Sequence, residues 1–491
     1  MTLSSSSIKA IQDIMRKDVG VDGDAQRIGQ IAWLLFLKIF EDTEQEAELL
    51  DKKYKSAIPN RFRWSAWAVG QKAETGEELI NFINNEMFPA LKVLKAKGDN
   101  HRGLVVRSVF EDAYNYMKSG TLLRQVINKV NEIDFNSSQD RHMLGDLYEK
   151  ILKDLQSAGN AGEFYTPRAV TQFMAEMIDP KANEKIMDPA CGTGGFLVCA
   201  IENMRKQGYI KTTAQERKLK DRIIGYEKKQ LPHLLCITNM MIHGVPSPEN
   251  VYHDNTLSYS YMTDWSPSDR VDVILTNPPF GGMEEDGIEN NFPAEFKTRE
   301  TADLFLTLII RILKKEGRAA VVLPDGTLFG EGIKTRIKKR LLEECNLHTI
   351  VRLPNSVFAP YTSIKTNILF FEKGKPTKKI WYYEHQLPEG QKAYNKTKPM
   401  RVEEMAACKK WWGNIETRKG RKETEQAWCV DVKDIIDNNY NLDIKNPHVG
   451  EQVSHDPDEL LQQYATQQNE ITDLRNQLKG ILQQALGGSN S

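Results

Sequence analysis

Asn277-Pro278-Pro279-Phe280 follows the apolar run Val273-Ile274-Leu275-Thr276 and opens a loop at the mouth of what reads as a buried strand. An amide, two prolines and an aromatic ring are suited to holding a flat amino group whose lone pair is delocalised into a ring or a carbonyl. Two acceptors aimed at its hydrogens draw the nitrogen toward tetrahedral geometry and localise that pair. The Asn277 side-chain oxygen is one acceptor and the Pro278 carbonyl is the other. Proline carries no N–H, so no donor competes in this loop, and residues ahead of a proline stay extended. Phe280 can stack on the ring that bears the amine, as extruded bases are held. A strong base is not required, because the nitrogen becomes acidic once methylated; placement and electrostatics carry the step. The motif specifies a planar NH2 acceptor and nothing narrower, since adenine, guanine in RNA and a glutamine amide all present one. An ordinary strand-exit turn is the bland alternative.

A methyl donor needs its own site. "EKIMDPACGTGGFLVCAIENM" (184–204) reads as strand, tight loop and helix. Gly192, Gly194 and Gly195, with Thr193 among them, let the backbone turn sharply and let a ligand come close. The loop lacks the GKS or GKT of a nucleoside-triphosphate loop, and its spacing is not the GxGxxG of a dinucleotide site. Asp188, at the strand end, is a poor neighbour for pyrophosphate and a good one for a cation. S-adenosylmethionine carries an ammonium and a sulfonium and no phosphate, so its amino-acid end suits this loop. Glu227 lies 39 residues on (227 − 188) and ends a second strand, "RIIGYE". There it can accept ribose hydroxyls, as in nucleotide folds generally. That gap exceeds the usual spacing of about 20, and "KQGYIKTTAQERKLKDR" reads as an inserted polar helix or loop. Asp254, in "NVYHDNTL", ends a third short strand where it can accept from the cofactor's adenine amine; a turn carboxylate is the alternative. Asp188-Pro189 with Glu227-Lys228-Lys229 also imitates the PD…ExK pattern of metal-dependent nucleases. That pattern needs acids gathered round Mg²⁺ and gives "CGTGG" no role, so no metal is expected.

These loops need a sheet to hold them. From residue 184 short apolar runs alternate with helical patterns ("KIMDP", "RIIGYE", "VDVILTNPP", "GRAAVVLP", "TIVRLP", "TNILFFEKG"), which indicates an α/β parallel sheet. The later runs, closely connected, suggest an antiparallel edge strand. The first ~150 residues are helical by periodicity. "AQRIGQIAWLLFLKIFEDTEQEAELL" places Ile28, Ile31, Leu35 and Ile39 on one stripe, and Ser138 is a candidate N-cap before Met143, Leu144, Leu147, Ile151 and Leu155. "SAGNAGEFYTP" (157–167) reads as a joint. From Glu459, the residues Leu461, Tyr464, Ile471, Leu474, Leu478, Ile481 and Ala485 recur at helical spacing, broken at Gln468. This amphipathic helix either docks on a partner or packs on its own chain. The expected division is a helical domain over 1–156, a catalytic domain over 157–455 and a docking helix over 456–491.

Composition narrows the class. A chain of 491 residues implies roughly two to four domains. It contains no run of eighteen apolar residues, so no membrane span is expected, and its N-terminus lacks the features of a signal peptide. A cytoplasmic location follows as an expectation. The six cysteines form no CxxC pair, which suits reduced thiols. Net charge is −1, whereas a protein gripping DNA alone usually has a basic surplus. Basic clusters at 334–340, 372–379 and 416–423 read first as solvated faces, so any grip on nucleic acid is expected to come largely from a partner.

The order "EFYTPRAV", "DPACGTGGF", "GYE", "TNPPF", "LPDGTLFG", "TNILFFEKG" resembles that of the γ-type N6-adenine DNA methyltransferases. More narrowly, the chain is similar to the modification subunit of type I restriction–modification systems, over nearly its whole length. "GEFYTPR" and "NYNLDIKNP" (439–447) are the more specific pieces. The resemblance implies a Rossmann-like S-adenosylmethionine-dependent methyltransferase sheet with an all-helical N-terminal domain and a C-terminal helical tail. It implies that Glu163, Phe164, Tyr165, Thr166, Pro167, Arg168, Thr193, Gly194, Gly195 and Glu227 contact the cofactor. It also implies that Asn277, Pro278, Pro279 and Phe280 hold a flipped adenine of double-stranded DNA. Site choice then rests with a separate specificity subunit, served by two modification subunits, and ATP-driven cleavage with a restriction subunit. In agreement, only 117 residues follow Gly374 (491 − 374), with no evident base-reading domain, and no Walker A loop is present. Two readings stay open beside this one. One is an RNA or protein-glutamine N-methyltransferase; the other is a DNA-binding assembly subunit whose site is idle, against which intact Asp188, Asn277 and Phe280 argue.

Overall fold

The computed structural model describes residues 5–70, 74–96, 100–133, 145, 148–153 and 165–448, together with 468, 471, 474, 475 and 478. The chain divides into two units, Met1–Ile444 and Lys445–Ser491.

In the first unit the short apolar runs become strands of a single sheet. They are β1 (Ile186–Asp188), β2 (Ile223–Glu227), β3 (Val251–His253), β4 (Val271–Thr276), β5 (Leu313–Pro324), β6 (Cys345–Arg352), β7 (Thr366–Lys373), β8 (Lys379–Glu384) and β9 (Ala427–Asp431). Their order across the sheet is β3-β2-β1-β4-β5-β7-β6-β8-β9. Strands β1 to β5 are mutually parallel. The expected antiparallel strand exists but not at the edge: β7, built from "TNILFFEK", runs antiparallel between β5 and β6. Its first six residues are all buried, which marks a strand covered on both faces rather than one open to water. The edge is β9, antiparallel to β8.

Side chains alternate between two cores, as a two-residue period requires. Val273, Leu275, Ala320, Val322, Ile368 and Phe370 face one core; Ile274, Val321, Leu323, Leu369 and Phe371 face the other. The first core is continuous with the helical N-terminal region, which has helices and no strand among its described residues. At its centre is Asp24–Leu50, buried without a break from Ile28 to Leu37. The expected stripe therefore widens to the whole circumference, as befits a helix enclosed by others. It packs against Gln230–Ile242, the helix that follows β2. Gln230 donates to the Val109 carbonyl, and the Tyr148 hydroxyl donates to the Leu235 carbonyl at 3.1 Å.

The insertion before β2 is a helix, Thr213–Arg222, closed at its start by a reciprocal Thr212–Gln215 capping box. Several members of the basic clusters are structural. Lys338 is buried and donates to the Leu328 and Gly330 carbonyls at 2.7 and 2.8 Å. Arg421 lies over the Trp411 and Trp412 rings at 5.0 and 4.4 Å. In the second unit, Gln468, Ile471, Leu474, Arg475 and Leu478 are helical and exposed. Ser138, Met143, Leu144, Leu147, Leu155, Leu461, Tyr464, Ile481 and Ala485 lie outside the described residues.

Candidate active site

Strand order reverses between β1 and β4, which pair directly. In open α/β sheets the crevice beyond the strand ends at such a reversal is where ligands bind. The two sequence motifs meet there: Asp188 ends β1, and Asn277 follows the last residue of β4.

The glycine loop is held from below. Cys191 N–H donates to the Tyr226 carbonyl at 2.9 Å, and Gly192 N–H to Glu227 Oε2 at 3.0 Å. Gly194 adopts φ = 80°, and a Cβ there would come within 2.8 Å of Cys236 Sγ. This position therefore needs glycine on two counts. Gly225 in β2 answers from the other side, where a Cβ would meet Cys191 Sγ and Leu197 Cδ1 at 3.1 Å.

Asp188 is at the strand end, as expected, but is also 0% exposed. Its Oδ1 accepts Ala190 N–H at 3.1 Å, while Oδ2 is buried with no hydrogen bond of good geometry, although the Thr276 hydroxyl is close to the carboxyl group. Burial pushes the carboxyl up to about 7, with a smaller push from Glu227, against the opposing pull of the Thr276 hydroxyl and Ala190 N–H. Glu227 is buried, and its Oε1 accepts Lys229 N–H at 2.7 Å. Asp188 and Glu227 do end neighbouring strands, the one geometric demand of a PD…ExK site that is met. But the Gly192–Glu227 bond gives the glycine loop a role that the nuclease pattern lacks. Asp254 follows β3 and is exposed; it accepts Asn255 N–H at 2.7 Å and the Tyr259 hydroxyl at 2.6 Å.

The Asn277 amide is oriented by its own neighbour: Nδ2 donates to the Thr166 hydroxyl at 3.0 Å, and Oδ1 is buried without a partner. Thr166 comes from the "YTPR" segment, so that segment touches the acceptor loop. Its other polar ends are committed elsewhere. The Tyr165 hydroxyl donates to Glu149 at 2.6 Å and Arg168 pairs with Glu202; burial holds the Tyr165 phenol well above its ordinary range. Pro167 caps the helix Arg168–Ile178. Pro278 is buried and Pro279 exposed, and the Phe280 ring sits edge-on to Phe358 with centroids 5.7 Å apart. Glu163 and Phe164 lie outside the described residues.

Sequence reasoning missed Phe358, Thr276 and the Thr166–Asn277 bond. Phe358 carried only a weak signal, an aromatic in the long connection "PNSVFAPYTSIK" between two strands. A cleft of about 1040 Å³ lined by Leu49, Arg102, Glu216, Lys220 and Pro246 lies by the N-terminal ends of β2 and β3. That is the opposite end of the strands from Asp188, Glu227 and Asn277.

Comparison with known proteins adds an independent line. A family profile described as N-6 DNA Methylase matches residues 139–456, and one described as HsdM N-terminal domain matches residues 4–130. The EcoEI type I restriction enzyme methylase subunit of Escherichia coli is 64% identical over 487 residues, 99% of each chain. The EcoKI methylase subunit of Escherichia coli K12 is 27% identical, covering 84% of this chain and 77% of its own. Among solved structures, a modification subunit attributed to a type I restriction enzyme of Vibrio vulnificus YJ016 is 44% identical with a TM-score of 0.80, covering 92% of this chain and 98% of its own. A chain from a structure concerned with complex assembly and conformational transition of the type I restriction–modification system is 36% identical with a TM-score of 0.82, covering 98% of both.

Proposed function

The chain belongs to the methyltransferase (modification) subunits of type I restriction–modification systems, and from that premise we propose how its residues divide the work. The enzyme is an adenine-specific, S-adenosylmethionine-dependent DNA methyltransferase acting on N6. Membership sets aside the RNA and glutamine readings, and intact Asp188, Asn277 and Phe280 argue against an idle site.

The residues at the strand ends fit the cofactor. A buried carboxylate oxygen with no hydrogen bond of good geometry, Asp188 Oδ2, in a loop with no cationic side chain, suits an ammonium. When bound, the cofactor supplies an electrophilic methyl group on a sulfonium. Asp188 would take its ammonium, Glu227 its ribose hydroxyls and Asp254 its adenine amine. Gly192, Thr193, Gly194 and Gly195 would let it come close to the backbone, and Glu163 to Arg168 would contact it.

Asn277 Oδ1 and the Pro278 carbonyl accept the two N6 hydrogens and localise the nitrogen's lone pair. Phe280 stacks on the extruded adenine, with Pro279 fixing the ring's approach. The observation that carries this reading is the Asn277 amide. Thr166 occupies its donor end, which leaves Oδ1 to accept. Asn277→Ala and Thr166→Val, each assembled with the cognate specificity subunit, test it in a labelled-methyl assay. Both should bind cofactor normally; the alanine should lose methyl transfer and the valine lose part of it. Normal transfer by Asn277→Ala would remove the acceptor role.

The relatives are subunits of restriction enzymes, so double-stranded DNA and a specificity subunit are the partners. We assign two modification subunits to each specificity subunit, a restriction subunit in the full complex, and a cytoplasmic location. No helix among the described residues is long and apolar enough to cross a membrane. Residues 1–156 act as a helical domain closing over DNA, 157–455 as the catalytic domain and 456–491 as the docking helix. Exposed Ile471, Leu474 and Leu478, spaced three and four apart, support that last role.

A further inference from the structure

The stretch after Phe280 has no part in the roles above, yet it is tied to the ends of β2 and β3, which do. On its backbone side, Gly282 accepts both the N–H and the hydroxyl of Thr301, at 3.1 and 3.0 Å. Glu284 N–H donates to the Arg299 carbonyl at 2.9 Å, and the Arg299 guanidinium returns two bonds to the Glu284 carbonyl at 2.9 and 3.3 Å. The Glu284 side chain, 11% exposed, reaches further. Its Oε1 lies 3.2 Å from the Thr301 hydroxyl and shares that group's single proton with the Gly282 carbonyl. Its Oε2 lies 3.4 Å from both Lys228 Nζ and Asn255 Nδ2. Lys228 directly follows Glu227, and Asn255 directly follows Asp254. One carboxylate thus joins the acceptor loop, the start of helix Thr301–Ile312 and the ends of β2 and β3.

Each of these side-chain contacts is long for a hydrogen bond, so their effect lies in convergence rather than in any one of them. Four separate chain segments must hold their mutual spacing for all to be kept. That spacing is what in-line transfer requires, because the donor is held by the ends of β2 and β3 and the acceptor by the end of β4.

We infer that Glu284 is a positioning residue that fixes the acceptor loop against the cofactor-holding strand ends, so that cofactor binding and capture of the target base are coupled. The inference rests on the roles assigned to Glu227, Asp254 and Asn277. Neighbouring Glu285 supplies the control. It faces the same Lys228 at 2.9 Å but is 76% exposed, so it bridges no further element, and exposed pairs of this kind contribute little.

Glu284→Gln and Glu285→Gln change charge by the same amount one residue apart. Each is compared with the unmodified chain in the assembled methyltransferase. Single-turnover methyl transfer, melting temperature, and Kd for the target duplex with and without S-adenosylhomocysteine are measured. For Glu284→Gln, melting temperature and duplex Kd without cofactor stay near the parent values. Transfer falls about 10- to 100-fold, the scale of a misplacement near 1 Å, and the effect of S-adenosylhomocysteine on duplex Kd shrinks toward none. Glu285→Gln stays within about twofold on all counts. Lys228→Met removes one arm and shifts the same quantities less. Parent-level transfer and coupling in Glu284→Gln would overturn the inference. So would a loss of transfer that only tracks a fall in melting temperature with coupling unchanged. Asn277→Ala, run alongside, separates the two levels. Its loss of transfer with Glu284→Gln at parent level removes the bridge alone, whereas its normal transfer removes the acceptor assignment itself.

Discussion

Asp188 should make cofactor binding depend on pH in a way that its amide cannot reproduce. Its carboxyl is pushed from an ordinary 3.8 to about 7, chiefly by burial. The folded, ligand-free protein therefore holds this proton more tightly than the unfolded chain does. Its contribution to stability is full below about pH 4, is lost as pH rises to about 7, and stays lost above. A gap of about three units corresponds to a swing on the order of 4 kcal/mol. An ammonium placed at Oδ2 favours the anion and reverses the gap, so binding below pH 7 must expel the proton. The anionic fraction for a group with pKa 7 rises about eightfold from pH 5.5 to 6.5 and about threefold more by pH 7.5. The Kd for S-adenosylmethionine should fall by those factors, and above about pH 7.5 the ligand's own α-amino group begins to titrate. Calorimetry in two buffers of different ionisation enthalpy should count about 0.9 protons released at pH 6 and about 0.5 at pH 7. Asp188→Asn should bind weakly and without slope over this window. A flat profile in the parent protein, or the same slope in the asparagine variant, would refute the placement of the ammonium on Asp188.

Three further outcomes follow from the same geometry. Asn277→Ala should lower the single-turnover rate about 10²- to 10³-fold, by analogy with lost transition-state hydrogen bonds, with cofactor Kd unchanged by calorimetry. Phe280→Ala should weaken capture of the extruded base more than it changes cofactor affinity, read as a reduced signal from 2-aminopurine at the target position; parent-level capture would remove the stacking role. Deleting 459–491 should leave a folded chain that binds S-adenosylmethionine but neither co-purifies with the specificity subunit nor methylates site-specifically. Normal assembly of the truncated chain would place the tail on its own domain instead.

What the sequence made legible was local. Strand, loop and helix around Asp188, and strand and loop around Asn277, follow from apolar period and from the conformational needs of glycine and proline. The insertion before β2 read as helix or loop alike, and the Thr212–Gln215 capping box that makes it a helix went unread. Relations across the sheet were not legible, because register and strand order depend on partners distant in the chain. So the later runs suggested an antiparallel edge strand without saying which, and the unbroken apolar run of β7 was not used to place it in the interior. Asp188 was read as a strand tip, but its full burial depends on what β2 and β4 place beside it. Glu284 carried no signal at all, since "GGMEED" looks like any acidic loop until Lys228, Asn255 and Thr301 converge on it from elsewhere in the chain.

Helix Gln230–Ile242 bears on how such proteins can be recombined. It belongs by sequence to the catalytic portion, yet from Pro232 to Ile242 every residue is buried, and it is enclosed by the sheet on one side and Asp24–Leu50 on the other. The joint expected over 157–167 thus does not divide the packing of the described residues on its two sides. A chimera that takes residues before that joint from one relative and the rest from another would set two unmatched apolar surfaces together along the whole of this helix. Close packing penalises mismatches as small as one methylene. Domain exchange between modification subunits should therefore succeed only when this helix, with Val109 and Tyr148 that grip it, travels with the N-terminal piece as one unit of inheritance.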